Sequence, residues 1–571
     1  MCQKRLKWTR NKKMAKWRIN FIFLFFILCA AAIIGCLFYI QVVGGDRYKA
    51  LAQGQQNYFQ ILRGNRGEIF FSGGQAMAID VYSKYAFISP ARIEDKDKAV
   101  GALSQALNIA PELISEKMSS SSQFELVKSD LSKEEENALK EARLPGAYAN
   151  EKILRRYPQG SMASQVAGFV GGEGIGQYGV EGYYEDVLRS KEYFPKKEGG
   201  FAGHGFVQSE ERSASGQDIY LTIDYNIQFM AEKLLEEARN NLNIESGQII
   251  VMEPSSGKIL ALANSPSFDP NNYADVKDFM VFQNSAIQKF YEPGSAFKPI
   301  TMAAALDQGK ITPQTTYVDE GAVKIGGLAV YNFDQRVWGQ KTMTQVLENS
   351  INTGAVFAER AAGHEMFLDY LAKFGFFEPT GIDLQGEVFS ENAEFKKGYE
   401  INFATAAFGQ GIEITPIQLV RAFSAIANGG KLMKPYLADK VFKNGKIVES
   451  SPAVVRDNVI SSKTASELSA MMVSVVEKGS GKAAKIPGYY IAGKTGTAQV
   501  SFSALDINKK GYSDKTWQSF IGFAPAFNAR FVILVKLDDP AAKTAEYSAV
   551  PIFKELAKYI IDYLEIPPDY E

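Results

Sequence analysis

Cysteine is almost missing from this chain of 571 residues: Cys2, Cys29 and Cys36 are the only ones, all at the extreme N-terminus. Beyond them no disulfide, thiolate nucleophile or cysteine metal site can form. Histidine is scarcer still, with only His204 and His364, so no His-rich ligand set can be assembled. His204 falls in the glycine-rich run 199–205 and reads as exposed, while His364 follows a helical run and reads as a loop or cap residue. A Ser-His-Asp triad is possible on count, yet no Gly-x-Ser-x-Gly elbow supports it. Net charge is also lacking: the formal value of −1 gives no case for a nucleic-acid partner. No internal repeat is evident. Hydrophobic residues at 46% and charged residues at 22% describe a globular chain with ample core, and its length calls for two or three domains. Any nucleophilic chemistry falls to serine, with lysine as the available base.

The N-terminus is one-sided. Residues 1–18 carry Lys4, Arg5, Lys7, Arg10, Lys12, Lys13, Lys16 and Arg18 and no acidic residue. Residues 19–43 then run almost uninterruptedly apolar, with only Asn20 and Gln41 polar. That is long enough to span a ~30 Å hydrocarbon core. The basic flank predicts a cytoplasmic tail over 1–18, a transmembrane helix over 19–43 and an extracytoplasmic remainder. A cleaved signal peptide competes, although its apolar region is usually about 7–15 residues long. Ile33-Ile34-Gly35-Cys36 looks faintly like a lipoprotein cleavage site, against which the apolar residues 37–40 continue past it.

Residues 46–60 suggest a juxtamembrane helix and 61–88 a β-rich stretch. Residues 96–107, 111–118 and 132–142 read as short amphipathic helices, the last opened by a capping box at Ser132 and Glu135. The polar, glycine-rich stretch 196–215 reads as an irregular connection. No catalytic constellation stands out over 44–215, which reads as a spacer. At 216 the texture changes. A strand (216–224), a long helix (225–241) and a strand–hairpin–strand (248–264) lead on to helices at 343–362, 365–374 and 415–428. Strands at 491–500, 517–523 and 531–537 and a helix at 550–564 close the chain. The pattern is multidomain α+β, its last part an α/β unit with an all-helical middle and a sheet joining distant segments.

Three motifs carry chemistry. In Glu292-Pro293-Gly294-Ser295-Ala296-Phe297-Lys298-Pro299, Pro293-Gly294 breaks the preceding structure and a helix follows to about Gly309. Ser295 therefore sits at a helix start with Lys298 on the same face. A serine hydroxyl needs a base, and a lysine withdrawn from water beside a helix N-terminus has a lowered pKa and can be one. Ser255 and Lys258 repeat the spacing, but between two apolar runs, as a hairpin tip. In Ser350-Ile351-Asn352 a hydroxyl and a carboxamide reach a cleft from one turn, Ser350 to shuttle a proton and Asn352 to hold a substrate amide. Ser390 and Asn392 repeat that spacing in a charged segment that reads as a surface turn. In Lys494-Thr495-Gly496-Thr497, on a strand, period two aligns the hydroxyls of Thr495 and Thr497. Gly496 admits close approach of a substrate backbone, and Lys494 supplies charge for a carboxylate. The backbone N–H groups of Ser295 and Thr497 can form an oxyanion hole. The plain alternative for this strand is an edge strand guarded by lysine.

Ser-x-x-Lys, Ser-x-Asn and Lys-Thr-Gly in this order are the signature of serine penicillin-binding proteins and β-lactamases. Over nearly its whole length the chain resembles a class B penicillin-binding protein, a peptidoglycan D,D-transpeptidase, most like the septal cell-division subtype. Arg66-Gly67-Glu68-Ile69, Arg156-Tyr157-Pro158, Ser267-Phe268-Asp269-Pro270-Asn271, Phe408-Gly409-Gln410-Gly411 and Phe520-Ile521-Gly522-Phe523 carry the likeness. One departure is Phe70-Phe71-Ser72-Gly73-Gly74, where the family usually has Asp-Arg-x-Gly.

The resemblance implies an elongated β-rich pedestal over 44–215 and, over 216–571, a β-lactamase-like transpeptidase domain with an antiparallel sheet and an all-helical subdomain. It also implies attack by Ser295 on a stem peptide ending in D-Ala-D-Ala, release of D-Ala, and capture of the acyl-serine by an amine acceptor. Lys494, Thr495 and Thr497 hold the donor carboxylate. β-Lactams are trapped on Ser295, and no metal or organic cofactor is needed. Expected partners are the membrane and a multi-pass glycan polymerase of the division or elongation machinery, since no glycosyltransferase acidic pair is visible. The alternatives are a side-wall elongation enzyme, a D,D-carboxypeptidase or β-lactamase (for which no Glu-x-x-Leu-Asn element stands between Asn352 and Lys494), a β-lactam sensor, and a non-catalytic scaffold.

Overall fold

Strands Ser246–Met252 and Phe531–Asp538 carry the apolar runs 249–252 and 531–535, and both are buried on their two faces. They form the middle of an antiparallel sheet ordered Ala492–Ser501, Tyr512–Ala524, Phe531–Asp538, Ser246–Met252, Ile259–Ser265. Alternation sorts their side chains into two cores. Ile249, Val251, Ile533 and Val535 meet the helices Tyr225–Leu242 and Ala549–Tyr563. Ile250, Met252, Val532 and Leu534 meet the helices Lys298–Asp307 and Pro416–Ala427. The expected sheet of segments distant in sequence is present.

The computed structural model describes residues 21–35, 37, 65–120, 122, 124–190, 215–443 and 446–571. Two units divide the chain, residues 1–64 with 191–214 and residues 65–190 with 215–571. Within the first, residues 21–35 are helical and nearly all exposed. Among the described residues no helix is long and apolar enough to cross a membrane. The rest of the span expected over 19–43 lies outside them, as do the expected juxtamembrane helix, His204 and nearly all of the connection at 196–215.

Two readings of the 300–480 region need correction. The expected single helix over 343–362 is two, Met343–Glu348 and Asn352–Ala362, because Ser350 turns left-handed (φ 56°) between them. The middle is not all helical. Thr316–Asp319 pairs with Gly339–Thr342, Ala322–Ile325 with Leu328–Tyr331, and Leu432–Met433 with Val454–Arg456. Gly326-Gly327 closes the second hairpin, Gly326 at φ 59°, a positive value that suits glycine and the tight turns joining short strands. A further helix, Ser462–Lys478, was not anticipated from the sequence; Ser461 caps it by accepting from Thr464 N.

In the N-terminal part, Ala76–Ile88 pairs with Glu125–Lys128 and Ala147–Arg156. The helices Lys96–Leu107, Pro111–Met118 and Lys133–Glu141 cover one face through Leu103, Leu107, Ile114 and Leu139. Ile219–Leu221 does not stand apart from this layer. It runs parallel to Ile69–Phe70 and antiparallel to Ala438–Lys443, so a single sheet crosses position 216. Arg66 and Arg155 share the fully buried Glu181 at 2.6 and 2.7 Å, and Arg155 also reaches Asp80 at 3.0 Å. Thus Arg66 is paired through Glu181 and Glu185, 2.7 Å away, although Phe70-Phe71-Ser72-Gly73-Gly74 offers no local charge. Tyr157 and Asn271 join the two layers reciprocally: Tyr157 N donates to Asn271 Oδ1 (3.0 Å) and Asn271 Nδ2 to Tyr157 O (2.9 Å).

Removing one partner of a buried ion network strands the others. Glu181→Ala is expected to destabilise the protein by about 3–5 kcal/mol, measured as a shift in the urea midpoint at unchanged slope.

Candidate active site

Ser295 lies in a 3-10 turn, Gly294–Phe297, that runs straight into the helix Lys298–Asp307. Lys298 points inward with no exposed surface. Its Nζ lies 3.0 Å from Ser295 Oγ, 2.5 Å from Ser350 O, 3.2 Å from Ser350 Oγ and 2.8 Å from Asn352 Oδ1. The carbonyl of Ser350 and the amide oxygen of Asn352 only accept. A neutral amine donates one hydrogen to each and keeps its lone pair for the Ser295 hydroxyl proton. The left-handed turn at Ser350 therefore aims both the backbone carbonyl and the hydroxyl of this residue at the amine.

Burial, and then the neighbouring Lys494 ammonium, push the Lys298 pKa well below that of an ordinary lysine. Lys494 is equally buried, which lowers its pKa to about 7. Its Nζ lies 3.0 Å from Ser350 Oγ and 3.1 Å from both Thr495 O and Thr495 Oγ1. Ser350 Oγ thus sits between two amines, a hydroxyl able to take a proton from one side and give it to the other.

Thr495 Oγ1 also meets Ser480 Oγ at 3.0 Å, and Thr497 Oγ1 accepts from Ala545 N at 3.3 Å. Ser480 was not foreseen; its only sequence signal is the Gly479-Ser480-Gly481 turn after a helical run. A Cβ at Gly496 would lie 2.4 Å from Ser519 Oγ, 2.8 Å from Pro293 O and 3.1 Å from Ala296 Cβ. Its missing side chain makes room for Ser519 and for the nucleophile turn against the strand. Asn352 Nδ2 donates to Tyr331 O at 3.0 Å, which orients Oδ1 towards Lys298 and leaves one N–H uncommitted.

The duplicate motifs stand apart in chemistry. Lys258 pairs with Asp439 at 2.9 Å on a hairpin tip, and Asn392 Nδ2 donates to the Glu413 carbonyl. His364 opens the helix His364–Lys373, meets Glu359 at 2.6 Å and stacks on Phe403. So the structure brings together Ser295, Lys298, Ser350, Asn352, Lys494 and Thr495, with Gly496 packed on the nucleophile turn and Thr497 on the adjoining stretch of strand.

Residues 247–558 match the family model "Penicillin binding protein transpeptidase domain", and residues 61–221 match "Penicillin-binding Protein dimerisation domain". Stage V sporulation protein D of Bacillus subtilis is 31% identical over 96% of this chain and 86% of its own length. A peptidoglycan D,D-transpeptidase FtsI homolog of Mesostigma viride is 27% identical over 96% of each. The crystal structure of penicillin binding protein 3 from Mycobacterium tuberculosis complexed with aztreonam superposes with a TM-score of 0.68 at 25% identity, covering 89% of this chain and 97% of that one.

Two outcomes follow from this packing and charge. Gly496→Ala is expected to slow acylation of Ser295 by about tenfold or more through displacement of the nucleophile turn, measured with a fluorescent penicillin. For Lys494 the folded pKa of about 7 lies below that of an unfolded lysine. The unfolded chain therefore binds more protons between the two values, and this group's contribution to stability rises with pH across that window. Lys494→Met is expected to melt above wild type at pH 6, with the gap narrowing by pH 9, in paired thermal unfolding scans.

Proposed function

From the premise that this chain belongs to the class B penicillin-binding proteins, serine-type peptidoglycan D,D-transpeptidases sensitive to penicillin, we propose the following roles for its residues. The single observation that carries them is the fully buried Lys298 amine 3.0 Å from Ser295 Oγ. Neutral Lys298 takes the hydroxyl proton as Ser295 Oγ attacks the penultimate D-Ala carbonyl of a stem peptide. Negative charge developing on that carbonyl oxygen is met by the backbone N–H groups of Ser295 and Thr497. The proton held by Lys298 passes through Ser350 Oγ to the departing amine, the C–N bond breaks, and terminal D-Ala leaves. The acyl-serine then accepts the amine of a neighbouring stem. Its proton returns by the same relay to Ser295 as the new amide forms. The Lys494 ammonium with the hydroxyls of Thr495 and Thr497 binds the donor carboxylate, whose charge favours the protonated form of Lys494. Asn352 uses its uncommitted N–H for a donor-peptide amide oxygen. A β-lactam enters the same step, but its leaving nitrogen stays tethered to the acyl group.

The domain limits follow the same reading: basic tail 1–18, membrane anchor 19–43, pedestal 44–215 and transpeptidase domain 216–571. The charge and apolar run of residues 1–43 support a single-pass anchor with the tail in the cytoplasm and the catalytic part outside. Glycan polymerisation comes from a multi-pass partner. Ser267-Phe268-Asp269-Pro270-Asn271 supports septal synthesis during division. The relative named for stage V sporulation favours a sporulation role as the second reading.

Labelled penicillin is expected to leave an adduct that survives for many minutes on wild type and is missing from Ser295→Ala, as read by gel fluorescence and peptide mapping. Rapid release from wild type would instead mark a hydrolase. A fluorescent fusion confined to midcell in dividing cells supports the septal assignment, and uniform side-wall signal overturns it.

A further inference from the structure

Asp319 lies outside all three motifs, yet it is buried with 2% exposure and draws together the ends of two hairpins. Its Oδ1 accepts from Gly321 N (3.0 Å), Asn332 Nδ2 (3.0 Å) and Thr353 Oγ1 (2.6 Å). Its Oδ2 accepts from Asn332 Nδ2 (2.9 Å) and Trp338 N (2.8 Å). Burial raises the carboxyl pKa, but the bonds from Thr353, Gly321, Trp338 and Asn332 outweigh it, and the group is held as a carboxylate.

Two of these partners lead directly to the reacting groups. Thr353 follows Asn352 in the first turn of the helix Asn352–Ala362, whose N-cap, Ile351, has no capping side chain. The missing cap is supplied from a distance, because Thr353 N donates to Asn332 Oδ1 at 3.1 Å. Asn332 itself is held by Asp319. The preceding residue, Tyr331, offers the carbonyl that orients the Asn352 amide towards Lys298. Ile325 and Val330 of the same hairpin pack on Ala355 and Val356 of that helix.

We propose that Asp319 is a positioning residue for acyl transfer: with Asn332 and Thr353 it fixes the left-handed turn at Ser350 and the amide of Asn352 in the geometry that keeps Lys298 poised beside Ser295. This rests on the transpeptidase reading above and extends it to residues that touch neither substrate nor nucleophile. The hydroxyl of Thr353 is the link that can be removed most cleanly, since valine keeps the shape and loses only the hydroxyl's bonds, to Asp319 (2.6 Å), to Asn332 Oδ1 (3.2 Å) and to Tyr317 (3.3 Å).

The test is the second-order rate of Ser295 acylation by a fluorescent penicillin in the full-length protein, with the melting temperature of each variant measured alongside. Thr353→Val and Asp319→Asn are expected to acylate about tenfold more slowly while still reaching full labelling. Thr353→Ser, which restores the hydroxyl, is expected to return to near the wild-type rate. Should Asp319→Asn fail to fold, the Thr353 pair decides alone. Wild-type speed in Thr353→Val, or an equal loss in Thr353→Ser, overturns the assignment of Asp319 and leaves the transpeptidase reading standing. An unlabelled wild type overturns both.

Discussion

Two lysine amines, both without exposed surface, face a single serine hydroxyl, and the rest of this domain depends on that arrangement. An ammonium taken out of water is expensive unless it is paired or neutralised, and among the described residues no carboxylate is a hydrogen-bond partner of Lys298 or Lys494. The fold resolves the conflict by neutralisation. Carbonyl and amide oxygens claim the hydrogens of Lys298, and its proximity to Lys494 disfavours two simultaneous charges. Desolvation thereby favours the neutral amine of Lys298, the form whose lone pair can take a proton.

Holding the amines there requires close packing from several directions. The strand Ala492–Ser501 approaches the nucleophile turn where Gly496 faces Pro293 and Ala296, and Gly294 faces Thr497 and Ala498. A Cβ at Gly496 would lie 2.8 Å from Pro293 O and one at Gly294 would lie 2.9 Å from Ala498 Cβ, closer than packed atoms approach. The apolar sheet centre beneath them, buried on both faces, gives this crowding a rigid base.

Much of this was legible in sequence because local signals agree with the fold. Lys96–Leu107 and Pro111–Met118 begin and end where the periodicity and the turn residues place them. Ser132 and Glu135 form the capping box that their spacing suggests. The nucleophile turn was legible through Pro293-Gly294. The break at Ser350 was not, because the helical periodicity of 343–362 runs on across it, although Asn349, Ser350 and Asn352 are themselves poor helix formers. A non-glycine residue enters the left-handed region there only because tertiary contacts hold it. Gly326-Gly327, between the short runs Val323-Lys324-Ile325 and Leu328-Ala329-Val330, did carry a hairpin signal. Asp319 and Ser480 carry no local signature. Their side-chain partners lie 13 to 34 residues away for Asp319 and 15 for Ser480, distances that only the folded chain closes.

The strand Ile219–Leu221 gives the chain a seam that does not coincide with the change of texture at 216. It is flanked on one side by Ile69–Phe70 and on the other by Ala438–Lys443. Cutting the polypeptide at that junction would bare a row of unpaired amides and carbonyls, a template for adhesion to other chains. The catalytic half is thus not a detachable module. It inherits part of its structural integrity from a ribbon contributed by its own N-terminal neighbour, so the smallest fragment able to stand alone must carry both sides of that seam.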